Sequence, residues 1–386
     1  MTTVAELRDR ADKLLPEIAE GAADRERLRI LPHEQIRRLA DAQLFAFRIP
    51  VADGGAGASV TEVIRFVIDL AAADSNIAQA LRPDYSFIEG LRARDSAEER
   101  ALWFRRFLDG AVVGNAGWEV GGANGAISAR ITRDGEHYRA DGSKYYSTGA
   151  LYADWVSATA LDDDGDPVSF IVPSDREGLR LVDDFDGVGQ RLTASGTTRL
   201  ENMRVYAHEL RHRPVTGERS PVTPFLQLYL GAVLAGIARD ALADAVAFAR
   251  EKARPIRHST AERSVDDPYV RLSVGEISAR AYAAEAVVLA AAGAIDRYWA
   301  DPGPELLTAA SVEVAQAQYL AAEAALRAGE LVFDVGGGST TAREHNLDRH
   351  WRNARTVANH NPRHWKAAVV GAHRLTGAEP PTSGLF

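Results

Sequence analysis

Apolar residues follow three different spacings along this chain. Across residues 4–110 they recur mostly at helical intervals, and one stretch, Asn76–Arg92, predicts a single continuous helix. Between residues 111 and 213 the pattern changes to short β-like runs, such as Trp155–Ala160, separated by Asp-Gly turns. Beyond residue 224 long alanine-rich segments return to helical spacing. Each change of spacing marks the edge of a structural unit.

These changes predict an α+β protein with three domains. We expect an N-terminal helical domain over residues 1–110, a central antiparallel β-sandwich or barrel over 111–213, and a C-terminal four-helix bundle over 214–386. The linker Pro214–Pro221 would separate the last two domains. We expect the bundle helices at about residues 224–253, 266–299, 306–334 and 345–360.

Composition narrows the class of protein. Of 386 residues, 46% are hydrophobic and 26% are charged, which is typical of a globular chain. The net charge of −9 argues against nucleic acid or an anionic membrane surface as a partner. The chain has no cysteine, which excludes disulfides and thiolate ligands, and no H-E-x-x-H spacing suggests a metal site. Without a signal-peptide core or an apolar run of membrane-spanning length, we expect a cytoplasmic protein with no membrane span.

The densest group of chemically active side chains lies near the C-terminus. Leu347–Val370 contains three histidines, two tryptophans and four arginines. Asn361-Pro362 should end a helix there, because proline lacks an N–H and disfavours helical geometry in the residue before it. A helix that ends in Asn-His-Asn-Pro can direct the His360 imidazole at a ligand, and histidine suits proton transfer near neutral pH. The alternative is a histidine that the dipole of the helix C-terminus stabilises.

Several segments carry longer motifs. Asp348–Pro362 reads D-R-H-W-R-N-A-R-T-V-A-N-H-N-P, and Gly142–Gly149 reads G-S-K-Y-Y-S-T-G. Further glycine-containing segments are Gly117–Gly125, Gly187–Thr198 and Val332–Gly338. Together these segments resemble the acyl-CoA dehydrogenase superfamily, and Asp348–Pro362 resembles its flavin monooxygenase branch. That branch contains two-component (group D) enzymes such as dibenzothiophene and sulfone monooxygenases, sugar-amine N-oxygenases and indole oxygenases.

The resemblance implies an oxygenation reaction. A separate flavin reductase would supply reduced FMN or FAD, and O2 would provide one oxygen atom for a small, largely apolar substrate, aromatic or heterocyclic and containing sulfur or nitrogen. It also implies a homo-oligomer, with a tetramer expected. One alternative is an acyl-CoA dehydrogenase, although the helix end that carries the glutamate base in many dehydrogenases here reads Ala358–His360. The other is a non-catalytic flavin-binding or scaffold protein.

The resemblance also suggests catalytic residues. His360 would control a proton, the Asn115 amide would hold an oxygen atom, and Thr148 would act beside them. Some relatives carry an active-site histidine in the fourth helix, where this chain reads Arg-Pro-Asp-Tyr-Ser. Asp84 and Tyr85 are therefore considered as catalytic residues instead.

Four residues are expected to line the flavin ring. The strand residues Tyr146, Ser147 and Thr148 offer backbone N–H and hydroxyl donors, and the Trp118 indole could form a wall of the pocket. The alternative for the first three residues is an ordinary strand of β-forming side chains. For Trp118 the alternative is core packing.

A second set of residues is expected to bind the flavin phosphate or to lie close to the flavin. Lys252 and Arg254 lie at a helix end, and Arg343 is a further cationic candidate. Gly336 and Gly337 permit close approach of the backbone to a ligand, and the resemblance places them near the flavin of a neighbouring subunit. The alternatives are a solvated helix C-terminus and a plain interhelical loop.

Overall fold

The computed structural model describes residues 2–93, 96–121, 125–211, 219–382 and 386. The domain boundary expected at residue 214, most of the expected linker Pro214–Pro221 and part of the glycine segment at 117–125 therefore lie outside the described residues. The described elements follow the order helices, sheet, helices, so the predicted α+β class is confirmed.

The N-terminal part is helical. Ser59 caps α4: its side chain accepts from the Glu62 N–H, and the Glu62 carboxylate accepts from the Ser59 N–H. The single helix expected over Asn76–Arg92 is wrong, because the chain turns at Leu81 and divides it into α5 and α6. Pro83 cannot continue a helix through this point, since it lacks the N–H that the preceding turn requires. The helices are α1 (Val4–Ala19), α2 (Ala22–Leu28), α3 (His33–Asp41), α4 (Val60–Ala73), α5 (Ser75–Ala80), α6 (Arg82–Arg92) and α7 (Ala97–Leu108).

The central part forms one sheet in the order β6-β7-β3-β2-β4-β5-β8, with β1 on β4. Its strands are β1 (Val113–Ala116), β2 (Arg130–Asp134), β3 (His137–Lys144), β4 (Trp155–Leu161), β5 (Pro167–Pro173), β6 (Leu179–Leu181), β7 (Thr198–Tyr206) and β8 (Leu210–Arg211). Most pairs are antiparallel, as predicted. The expectation that every pair would be antiparallel is wrong, because β1 runs parallel to β4, with Asn115 opposite Ser157. The intervening β2–β3 hairpin supplies the crossover that a parallel pair requires.

The C-terminal part is a helical bundle of α8 (Val222–Glu251), α9 (Pro268–Ala300), α10 (Pro304–Leu331), α11 (Asp348–Ala358) and α12 (Arg363–Thr376). The predicted helix break at Asn361-Pro362 is confirmed, and α12 adds a helix beyond the expected four. Helix α8 packs on α9 and α10 and also on α4. Gly236 makes this contact possible, because a Cβ there would lie 2.4 Å from the Ala71 Cβ.

Two hydrophobic cores result. One joins the N-terminal helices to the bundle, and a smaller one fills the sheet. Among the described helices, α9 alone is long and apolar enough to cross a membrane. That is weak support for a membrane span, because core helices of globular proteins meet the same test.

Candidate active site

The N-terminal helices, the sheet and the bundle meet at one junction, which we call the cleft. On one side the turn between α5 and α6 presents Arg82, which lies 3.1 Å from the His360 Nε2 just beyond α11. On the other side Gly149, with φ of 76°, lies against the carbonyl of Ala80, where a Cβ would be 2.6 Å from the oxygen. This close approach brings the turn after β3 beside the turn that carries Arg82.

The contact with Arg82 determines the state of His360. A guanidinium can only donate, so Nε2 accepts and the neutral ring carries its proton on Nδ1. Enclosure by protein atoms and the nearby positive charge of Arg82 lower the pKa of His360 well below its usual value of 6.5. The side chain still reaches solvent at the cleft mouth. The structure therefore presents a neutral imidazole to a ligand at physiological pH.

Asn115 and Thr148 lie together at the sheet edge of the cleft. The backbone N–H of Asn115 donates to the Thr148 carbonyl at 3.0 Å. The Thr148 hydroxyl lies 3.0 Å from the Ser195 Oγ, which is 2.8 Å from the Thr193 hydroxyl. Thr193 and Ser195 were not among the predicted site residues, although both lie in the glycine-containing segment at 187–198. Ser147 is buried, and its Oγ accepts from Thr198 at 2.8 Å, so its side chain supports the turn from within the sheet.

Two exposed aromatic residues flank this turn. Trp118 is 40% exposed and Tyr146 is 51% exposed, with Tyr146 in the left-handed region at φ of 59°. The Tyr145 N–H donates to the Trp118 carbonyl at 2.8 Å, which places the two aromatic segments side by side. Uncovered aromatic surface of this kind suits a flat ring ligand.

A buried ion pair holds the loop of Trp118. Glu119 pairs with Lys144 at the end of β3 and accepts from the backbone N–H groups of Ser128 and Ala129 at 2.8 and 3.1 Å. Burial alone would raise the pKa of Glu119, but these hydrogen bonds, with that from Lys144 foremost, outweigh it and hold the pKa at about 2. The Glu119–Lys144 pair was not predicted, because an acidic residue beside a tryptophan gives no spacing signal.

Asn353 joins all three parts of the protein behind the cleft. Its Oδ1 accepts from the backbone N–H of Gln190 at 2.7 Å, and its Nδ2 donates to the Ser75 hydroxyl at 3.2 Å. Gly189 lies flat on α11, since a Cβ there would be 2.2 Å from the Arg352 carbonyl oxygen. The segment that carries Thr193 and Ser195 is thus docked on the bundle.

Family comparisons agree with this architecture. The acyl-CoA dehydrogenase N-terminal domain matches residues 3–111, and the acyl-CoA dehydrogenase C-terminal domain matches residues 228–364. The chain belongs to the acyl-CoA dehydrogenase family. The two matched regions coincide with the N-terminal helical part and with most of the C-terminal bundle.

Full-length relatives narrow the assignment within the acyl-CoA dehydrogenase family. Dibenzothiophene monooxygenase of Rhodococcus qingshengii is 29% identical, with 97% of this chain and 96% of the relative covered. A probable FMNH2-dependent monooxygenase, SfnC of Pseudomonas putida, is 27% identical, and the match covers 97% of this chain and 95% of the relative. FMN-bound TdsC from Paenibacillus sp. A11-2 superposes with a TM-score of 0.92 at 26% identity, and the match covers 98% of this chain and 100% of TdsC. The prediction of a flavin-dependent monooxygenase of this fold is confirmed, over a dehydrogenase or a non-catalytic protein.

Two residues expected from the fourth helix do not line the cleft. Asp84 is fully buried, its Oδ1 accepts from the Val113 N–H at 2.7 Å, and burial raises its pKa well above the usual range. Tyr85 is also fully buried, and its hydroxyl donates to the Leu44 carbonyl at 2.9 Å. In this acyl-CoA dehydrogenase fold, Asp84 fixes β1 and Tyr85 fills the core. Their catalytic roles stay predictions.

The expected phosphate-binding set forms a separate cluster. The Lys252 Nζ lies 3.4 Å from the His345 Nδ1, and a Cβ on Gly336 would lie 2.4 Å from the Phe248 ring. Phe248 is 19 residues along α8 from Tyr229, which packs near Arg82, and this separation is about 28 Å. The cluster therefore cannot share the cleft of its own chain. The other residues expected to bind the phosphate, Arg254, Gly337 and Arg343, lie within two positions along the chain of Lys252, Gly336 and His345.

One group of described residues has the spacing of metal ligands. Asp240, Asp244 and His350 offer ligand atoms within 4.8 Å of one another. Arg349 already lies 3.2 Å from Asp240 and 2.7 Å from Asp244, and the His350 Nε2 lies 2.9 Å from Asp244. Burial would raise the pKa of Asp244, but hydrogen bonds from His350 and Arg349 outweigh it and lower it. The guanidinium thus provides the positive charge that a metal ion would bring, and the expected absence of a metal stays a prediction.

Proposed function

We propose that this protein is the oxygenase component of a two-component system that takes reduced FMN from a separate flavin reductase. It would use O2 to add one oxygen atom to a small substrate with a largely apolar, aromatic or heterocyclic body. The observation that carries the proposal is that the close approach of Gly149 to Ala80 brings the Asn115–Thr148 turn beside the turn whose Arg82 contacts His360. FMN is favoured over FAD because TdsC binds FMN and the Pseudomonas relative is FMNH2-dependent.

The residues at the sheet edge fit a flavin ring. Trp118 and Tyr146 leave aromatic surface exposed, while Thr148 and its neighbouring hydroxyls lie beneath the same turn. These residues would hold the ring, and the bound flavin would supply the activated oxygen. Phe333 supports FMN, since it stands where the FAD-binding segment of the resembled family has glutamine.

His360 would control the proton of the reaction. Its neutral ring can donate through Nδ1 while Arg82 holds Nε2, so the tautomer and the ring orientation are fixed before a ligand arrives. The Asn115 carboxamide lies next to Gly117, where a Cβ would come within 3.2 Å of its Oδ1. A glycine at 117 therefore leaves the amide room to hydrogen-bond a ligand. The protein walls of the cleft would exclude water from the reacting atoms.

A test begins with binding of reduced FMN under anaerobic conditions, followed by mixing with O2 and indole as a probe substrate. We expect flavin binding and product formation, and His360→Gln should lower the oxygenation rate by about 100-fold while flavin affinity stays within a factor of two or so. His364→Gln is the matched control, because His364 is exposed on α12, outside the cleft. Failure to bind reduced FMN, or equal rates in the two variants, would contradict the proposal.

We also propose a homotetramer. A groove between α9, α10 and α12 is lined largely by apolar side chains, including Val287, Leu320 and Val370. Nearby on α12, Trp365 is 67% exposed and Leu375 is 86% exposed. Apolar surface of this extent is typical of an interface between subunits. Light scattering at micromolar concentration should give a mass near four chains, and a monomeric mass would contradict the proposal.

A further inference from the structure

Arg82 is the first residue of α6 and differs from the other arginines of the helical core. Among the described residues it makes one hydrogen bond, to His360, and no ion pair. Its Nε is fully buried and has no hydrogen-bond partner in the part of the chain that the structure describes. The nearby Tyr229 hydroxyl cannot donate to a further group, because it donates to the Ala78 carbonyl at 2.7 Å.

Other enclosed arginines have carboxylate partners. Arg25 lies 3.1 Å from Asp74, and Arg48 binds Glu89 through two nitrogen atoms. A guanidinium taken out of water without a counter-charge is costly, so such groups in proteins are usually paired. Burial lowers the pKa of Arg82 to about 10, which still leaves it protonated at neutral pH. Arg82 is only partly buried, so part of its guanidinium is open to solvent, and an anionic ligand at that open part would supply the missing negative charge.

The position of Arg82 indicates which ligand would bring that charge. The exposed aromatic residues Trp118 and Tyr146 lie on the sheet side, which suits the flavin ring. Arg82 lies on the opposite, helical side with His360, and Tyr229 is packed beside it. The Phe225 ring centroid lies 6.4 Å from that of Tyr229, so the wall behind Arg82 is aromatic. A ligand layered on the flavin from this side would meet a single fork of cationic donors, with the fully buried rings of Tyr229 and Phe225 behind it.

We propose that Arg82 is a specificity-determining residue that binds an anionic oxygen group of the substrate, so that the preferred substrates are small apolar organic anions, namely carboxylates or sulfinates. A planar guanidinium can bind two oxygen atoms of such a group while one N–H continues to hold His360. This inference rests on the proposed function for the location of the flavin. To the proposed function it adds the chemical class of the head group of the substrate.

The test compares charged and neutral probes of the same shape. Binding of benzoate and benzamide, and of benzenesulfinate and methyl phenyl sulfone, is measured by calorimetry with the FMN-loaded protein. We expect each anion to bind about 10- to 100-fold more tightly than its neutral counterpart, as charge-assisted hydrogen bonds require. Arg82→Gln should abolish this preference and leave affinity for the neutral probes unchanged, and Arg82→Lys should retain part of it. Arg105→Gln removes the same charge from the protein surface and should keep the full preference for anions, since Arg105 pairs with Asp109 on the exposed face of α7.

Three results would overturn the inference. Equal affinity of the wild type for both members of each pair would do so, as would no measurable binding of either anion at millimolar concentration. An anion preference that survives in Arg82→Gln, together with weakened binding of reduced FMN, would show that Arg82 serves the flavin instead. Thermal melting of each variant shows that it is folded. Because these are binding measurements, they are separate from the proposed function, which fails if reduced FMN does not bind or no oxygenated product forms.

Discussion

Replacing Asn353 with alanine should separate the docking of the sheet from the chemistry of the cleft. The change removes the acceptor of the Gln190 N–H at 2.7 Å and a donor to Ser75 at 3.2 Å. All three residues are buried, so the Gln190 N–H would lose its partner away from water. An unsatisfied buried donor costs about 1–3 kcal/mol, and the lost packing of the side chain adds about 1 kcal/mol.

The size of the thermal effect follows from the length of the chain. For 386 residues the unfolding entropy at the midpoint is about 0.8 kcal/mol/K, so a loss of about 3 kcal/mol should lower Tm by about 4 °C. We also expect oxygenation to fall, because the segment that loses its anchor carries Ser195, whose hydroxyl contacts that of Thr148, and Thr193, whose hydroxyl contacts Ser195.

Differential scanning calorimetry with and without FMN, paired with an oxygenation assay, measures both effects. Asn359→Ala is the control for stability, since it removes the same type of side chain from an exposed position at the end of α11. Its Tm should stay within about 1 °C of the wild type. The docking role of Asn353 would be refuted if Asn353→Ala melted with that control and kept full activity.

Three further outcomes are expected. Asp84→Asn should raise the free energy of unfolding above that of the wild type at pH 8, and this difference should shrink towards pH 4. Because the folded-state pKa of Asp84 is raised, the wild type loses stability as pH rises through that range. Urea titrations at several pH values would show the difference. Glu119→Gln should destabilise the protein by about 3 kcal/mol at pH 7, because it removes the carboxylate that Lys144 binds. In the wild type this contribution to stability should disappear as pH falls from about 4.5 to about 2, and a free energy of unfolding that does not change over this pH range would contradict the prediction. Acyl-CoA esters should give no anaerobic dye reduction, since no carboxylate stands at the helix end next to His360, and robust reduction with any of them would restore the dehydrogenase assignment.

The order of the domains was predictable because each part repeats one spacing many times. Helical periodicity over dozens of residues and Asp-Gly turns between short strands leave little ambiguity about class. The wrong predictions fall where one residue or a short segment determines the local structure. The break between α5 and α6 depends on Pro83 inside an otherwise continuous apolar pattern, and β1 is a four-residue strand whose parallel pairing with β4 no local pattern encodes. Pairing of that kind depends on contacts remote in sequence.

The cleft shows a similar division between what motifs reveal and what only three-dimensional contacts reveal. His360 and Thr148 lie in recognisable segments, and the structure places the turn of Thr148 beside the turn whose Arg82 contacts His360, although the roles of these residues stay predictions. The partner that sets the state of His360 was not predictable, because Arg82 is 278 residues away and stands at a helix start where many arginines are solvated. A motif names side chains, but the charge of an imidazole depends on what lies 3 Å from its nitrogen atoms. The unpaired guanidinium at that distance is therefore the feature from which the head group of the substrate can be inferred.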